Sequence, residues 1–183
     1  MITQDSQERR AYYRIRDRIA LQISTGAPSG EDSLLFNLLN ELYLLELESQ
    51  PLLRSISEQQ RTLVNYLKIT NKRIDLLANA LAQGLMKDFG EPQEVTLSED
   101  GICFLDTRHH QPGSILTLRL ILLPQAFGLQ LQARIVNCQA TGDRFKVAAC
   151  FHEPSETQRQ VLARHIMHKQ AQERREALAD LQE

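Results

Sequence analysis

Over residues 15–23 the chain alternates, with Ile19, Leu21 and Ile23 set between Ala20 and Gln22. That period of two is the pattern of a strand with one buried face. Gly26, Pro28, Ser29 and Gly30 then interrupt it. From about Ser33 to Phe89 the apolar positions take a helical period. Neither Gly nor Pro occurs between Glu31 and Gln50 or between Leu52 and Gln83, and Pro51 predicts a break between two helices. The first is expected over Leu34–Glu48, with Asp32 or Ser33 as N-cap. The second is expected over Glu58–Asp88, where Ser55 with Glu58, and Ser57 with Gln60, fit the capping-box spacing. After Gly90 and Pro92 the alternation returns, in the runs Leu116–Leu122, Leu129–Ile135 and Phe145–Phe151. Pro112-Gly113 and Thr141-Gly142-Asp143 mark turns between them. Short alternating strands with close turns imply an antiparallel sandwich or barrel. A last helix is expected from about Pro154 and Ser155 to the end, solvated beyond His168.

The helical stretch is more apolar than one chain needs. Leu63, Leu67, Thr70, Ile74, Leu77, Leu81 and Gly84 follow a sustained a/d heptad spacing, as in a coiled coil. The first helix carries Leu34, Leu35, Phe36, Leu38, Leu39, Leu42, Tyr43, Leu44, Leu45 and Leu47, which leaves almost no polar face. A helix apolar nearly all round is buried on several sides. An intramolecular hairpin packed on the barrel is one reading. An oligomeric helical bundle is the one that hides the surface, with Leu63, Leu67, Ile74, Leu77 and Leu81 as its seam. The mixture of Leu and Ile in that seam does not fix the number of helices.

Composition narrows the class. The chain has 183 residues, 42% hydrophobic and 24% charged, which is ordinary for a globular protein. A net charge of −2 argues against a general nucleic-acid binder. Three cysteines, Cys103, Cys138 and Cys150, suggest reduced thiols rather than a disulfide framework. The first ten residues do not look like a secretory signal, and no apolar run reaches the length of a membrane span. A cytoplasmic protein is expected.

Charge is distributed unevenly. Arg9, Arg10, Arg14, Arg16 and Arg18 crowd ten residues with only Asp17 among the acids. Arg10 and Arg14 form an Arg-x-x-x-Arg spacing just ahead of the first strand. A planar guanidinium can bind a phosphate, or the O6/N7 edge of guanine, through two parallel hydrogen bonds. A basic run is more often a solvated face. Further on, Thr96-Leu97-Ser98-Glu99-Asp100-Gly101 closes one apolar run and opens another, Ile102–Leu105.

That second segment resembles the [Asp/Asn]-x-Ser-x-x-Gly signature of PilZ domains. With Arg-x-x-x-Arg upstream, strands downstream and a terminal helix, the chain resembles that family from about residue 8 to 168, outside the helical insert. The resemblance implies a six-stranded antiparallel barrel interrupted by two long helices, with a C-terminal helix. It divides the chain into a PilZ-like barrel over 8–28 and 90–168, a helical oligomerisation insert over 31–89 and a polar helical tail over 169–183. It implies cyclic di-GMP, the bacterial second messenger, as ligand. Arg9, Arg10 and Arg14 would contact guanine and phosphate, and Thr96, Ser98 and Gly101 would line the barrel side. Thr96 departs from the family's Asp or Asn. Eighty-one residues (15 to 95) separate Arg14 from Thr96, which is similar to the tetrameric PilZ subclass, where long helices assemble the protomers.

Other candidates carry less. His165 and His168 are spaced i, i+3 but lack further metal ligands, and a solvated pair is expected. His109-His110 reads as a loop. Cys150 and His152 share a strand face without completing a site. No phosphate loop, nucleophile elbow or catalytic constellation is present, so no enzyme and no cofactor is expected. Two functions compete. One is a cyclic di-GMP receptor that relays its signal to an unidentified protein. The other is a nucleotide-independent oligomeric adaptor.

Overall fold

The computed structural model describes residues 13–25, 31–56, 60–123 and 127–180. Arg9, Arg10, Ser57 and Glu58 lie outside the described residues, as do the side chains of Asp32 and Ser33. Six strands form a closed antiparallel barrel: β1 (Ile15–Ser24), β2 (Gln93–Leu97), β3 (Gly101–Asp106), β4 (Ile115–Leu122), β5 (Phe127–Thr141) and β6 (Arg144–Phe151). Around the barrel the order is β1-β2-β3-β6-β5-β4. Helices α1 (Glu31–Ser55) and α2 (Arg61–Phe89) intervene between β1 and β2, and α3 (Glu156–Asp180) follows β6.

β1 closes the barrel by changing partners. Ile15–Ile19 pair with β2, and Ala20–Ser24 pair with β4. Closure removes the free edges that an open sheet presents to other chains. β5 runs past the expected Ile135 to Thr141, pairing with β4 and then β6 across a bulge between Ile135 and Asn137. The extra residue there, Val136, is exposed, as bulged residues at a barrel rim commonly are. The turn at Gly142 takes φ 62°, a left-handed conformation that glycine adopts without steric cost.

Alternation places Ile19, Leu97, Phe104, Leu118, Leu120, Leu131 and Val147 in the barrel interior. The other face of β4 is buried too, because the helical hairpin covers it. Ala20 and Ile121 pack there against Phe36, Leu39, Ala82, Leu85 and Phe89. α3 adds Val161, Leu162 and Ile166 to the barrel core, and Tyr43 of α1 stacks on Phe127 with ring centroids 4.0 Å apart.

Pro51 does not separate the two long helices; it lies inside α1. The turn around it is held from outside, where Arg164 of α3 donates to Gln50 and Tyr43, Glu46 and Leu47 face the same side. That tertiary support tolerates the N–H the proline lacks. Nor does Ser55 open the second long helix. Its hydroxyl donates to the Leu52 carbonyl at 2.7 Å, satisfying an end carbonyl of α1. α2 begins at Arg61, after Gln60, which makes no side-chain cap hydrogen bond.

Candidate ligand recess

Thr96 lies between Val95 and Leu97, whose side chains are buried in the barrel, so its own side chain faces outward. Its register partner on β3 is Cys103, and the partner of Cys103 on β6 is Ala148. A row of small residues therefore crosses three strands on the outer surface. Gly101, facing Cys150, continues this floor. It cannot be replaced without movement, because a Cβ there would stand 2.4 Å from the backbone oxygen of Ala149.

Arg14, Thr96, Ser98 and Gly101 all line one surface recess of about 380 Å³, within the ~300–1,000 Å³ range of small-molecule sites. Asp100, Cys103, Val136, Lys146, Ala148 and Cys150 line it as well. Arg14, just ahead of β1, is exposed. The recess thus gathers every described residue proposed from the sequence as a ligand contact. Its far wall on β6 was not foreseen, although strand alternation puts residues 146, 148 and 150 on the face opposite the buried Val147, Ala149 and Phe151.

Ser98 also builds the turn. Its N–H donates to the Gly101 carbonyl at 2.9 Å, and its hydroxyl accepts from the Gly101 N–H at 3.1 Å. The Phe151 N–H donates to the Asp100 carbonyl at 2.8 Å, tying this turn to the end of β6. The plain-turn reading of Ser98 and Gly101 and the binding reading therefore describe the same atoms, since the turn shapes the wall.

A buried polar cluster forms around Asp17. Asp17 faces inward on β1, and its carboxylate meets His165 Nε2 at 2.6 Å and Lys169 Nζ at 3.1 Å. His165 is 2% exposed, which corrects the expectation of a solvated His165/His168 pair; only His168 is exposed. The reason is that α3 docks the His165 side on the barrel, edge-on to Phe127. Burial alone would raise the Asp17 carboxyl, but the hydrogen bonds and charges of His165 and Lys169 outweigh it and hold it below its usual range. His110 similarly meets Asp106 at 2.6 Å. Among the described residues no group of three or more His, Cys, Asp or Glu side chains could hold a metal ion, and no helix is long and apolar enough to cross a membrane.

The family model for the PilZ domain matches residues 84–168. The chain carries a PilZ domain. The match begins in the last turns of α2, so β1 joins the matched PilZ strands only in space, through its pairing with β2 and β4. Among solved structures, the chain resembles a pathogenic protein of Xanthomonas campestris described as a tetrameric PilZ domain self-assembled through a helical bundle. The likeness covers 89% of this chain and 90% of that one, at 19% identity and a TM-score of 0.59, and it extends the shared fold over the long helices. Escherichia coli YcgR in complex with c-di-GMP matches 49% of this chain and 39% of its own, at 18% identity and a TM-score of 0.41. No curated protein matches the chain.

Proposed function

We propose that this protein is a cytoplasmic receptor for cyclic di-GMP that assembles through α1 and α2 and passes the second-messenger signal to a partner protein by surface contacts. The observation that carries the reading is the convergence of Arg14, Thr96, Ser98 and Gly101 on one recess, from segments eighty-one residues apart. Arg14 supplies a bidentate donor for phosphate or a guanine edge. Arg10 and Arg9, four and five residues earlier in the sequence, would complete the clamp from the same chain segment.

Assembly is supported by apolar surface that one chain leaves open. On α1, Leu34, Leu38, Leu45 and Leu52 are exposed; on α2, Leu63, Tyr66, Ile69, Ile74, Leu76 and Leu77 are. Ile74 also lines an apolar groove between the two helices with Leu39, Leu42, Leu45 and Ala78. Apolar patches of this extent mark interaction surfaces. We favour a tetramer, by analogy with the Xanthomonas protein, whose helices form such a bundle.

The second reading, a nucleotide-independent oligomeric adaptor, is favoured by Thr96 in place of an acid or amide. Isothermal titration with cyclic di-GMP separates the two. The receptor reading expects saturable binding that Arg14→Ala weakens by about tenfold or more, the worth of one bidentate arginine contact. A folded wild-type protein that does not bind leaves the adaptor.

A further inference from the structure

We propose that Lys146 is a second anion anchor of the recess, closing on the ligand from the wall opposite Arg14. This rests on the nucleotide reading above and deepens it. The strand order puts β2 and β3 between β1 and β6, and both basic residues line the same recess. Adjacent strands lie about 4.8 Å apart, so the β1 and β6 backbones stand roughly 14 Å from each other across the floor. The register makes the arrangement diagonal. Arg14 precedes Ile15, which pairs with Leu97, and so lies at the Ser98–Gly101 end. Lys146 pairs with Leu105 and Gln139, at the other end.

Between these corners runs the row Thr96, Cys103 and Ala148, with no bulky side chain. A flat purine or sugar face can lie on such a floor while long basic side chains reach inward from two corners. The cross-strand neighbours of Lys146, Leu105 and Gln139, are both uncharged, so no acid directly opposite neutralises it. The lining holds two cations, Arg14 and Lys146, against one carboxylate, Asp100. A threonine at position 96 adds no further negative charge. The recess is therefore suited to a ligand with two separated anionic groups on a planar body. A bis-phosphate dinucleotide has that form, and a mononucleotide offers its charge at one end only.

The test is titration of the full-length protein with cyclic di-GMP at low and at raised salt, using wild type, Lys146→Ala, Lys146→Glu, Lys146→Arg and Arg14→Ala. Lys146 is exposed, so its replacement leaves the barrel core intact. Lys146→Ala is expected to weaken binding by about tenfold, the worth of one charge-assisted hydrogen bond, and Lys146→Glu by more. Lys146→Arg should stay close to wild type. The deficit of the alanine variant should shrink as salt screens an exposed charge. Binding lost in Arg14→Ala but unchanged in Lys146→Ala overturns the second anchor and leaves the nucleotide reading standing. Loss confined to Lys146→Glu also overturns it, because introduced repulsion would be the cause. A folded wild type without binding overturns both.

Discussion

His165 Nε2 on α3 meets Asp17 Oδ2 on β1 at 2.6 Å, with both side chains at most 2% exposed. The pair links the C-terminal helix to the strand that begins just after Arg14. Removing one member of this buried hydrogen-bonded pair leaves the other polar group without its partner, at a cost of about 1–3 kcal/mol, more where that group is charged. Asp17→Ala and His165→Ala should each lower the unfolding free energy measured by urea titration by an amount in that range. The double variant should cost less than the sum, because the two act through one contact. Additive losses would mean that each side chain acts alone.

Asp17 also sets an acid limit. Its folded-state pKa is held below the ordinary value, so its ionised form favours the folded state. That contribution is fully present above the unfolded-state pKa of about 3.9 and is lost as pH falls through the lower folded value. Asp106, lowered against the pull of burial by His110 and Arg108, adds in the same direction. Stability should therefore decline below about pH 4, and Asp17→Asn should flatten that decline in acid titrations followed by circular dichroism.

Much of the barrel was legible because strand alternation is a local signal. Leu116, Leu118, Leu120 and Leu122 reveal their inward face without reference to any other segment. What escaped depended on distant partners. Asp17 occupies an inward position between Ile15 and Ile19, and nothing nearby in the chain announces that a histidine 148 residues later will receive it. Pro51 reads as a helix break by itself, yet α1 continues through it to Ser55, with Arg164 of α3 bonded to the neighbouring Gln50. In the recess, Arg14, Thr96, Ser98 and Gly101 were found by motif resemblance. Lys146 was not, because a lysine on an outward strand face is usually just solvated.

Arg119 predicts how firmly the hairpin is mounted. It is 3% exposed, its guanidinium lies 4.3 Å from the Phe36 ring centroid and 5.3 Å from that of Phe89, and it donates to Gln22 at 2.8 Å. Desolvated cation–π contacts are worth about 2 kcal/mol or more. Arg119→Ala should destabilise by at least that amount and raise hydrogen exchange in α1 and α2 before the barrel. Gly128→Ala probes the same junction, since its Cβ would meet the buried Phe36 ring at 2.9 Å. Overpacking of this kind costs about 1–3 kcal/mol. Unchanged exchange in the helices of both variants would show that the mount lies elsewhere.

The heptad seam supplies a test of assembly. Leu77 is 70% exposed, Leu63 46% and Ile74 42% in the single chain, so charge at Leu77 costs an isolated protomer little. In a bundle the same charge is buried without a partner, which is strongly unfavourable. Leu67→Glu together with Leu77→Glu should convert an oligomer to monomer by light scattering while the circular dichroism of the barrel persists. A monomeric wild type, or an oligomer indifferent to both changes, would remove the seam from the assembly.

Thr96→Asp asks whether position 96 does what the PilZ pattern assigns to it. The side chain faces the recess, in register with Cys103 on one side and with Arg16 on the other. A carboxylate there could accept hydrogen bonds from a guanine edge or orient a neighbouring arginine, and a threonine hydroxyl does either less strongly. The opposing effect is repulsion of the ligand's phosphates. Thr96 is half-buried beside open solvent, where charges several ångströms apart are screened. A direct hydrogen bond to a charged group is worth about 1.5–3 kcal/mol, so the local contact should outweigh the distant repulsion. Thr96→Asp is therefore expected to tighten cyclic di-GMP binding by about tenfold or more, or to create measurable binding where the wild type has none. Raising salt should increase that gain, since screening weakens the repulsion more than the contact. A folded Thr96→Asp protein that binds more weakly than wild type at every salt concentration would mean that phosphate, not guanine, lies over Thr96. The ligand would then sit in the recess with its charged groups over the β2–β3 floor.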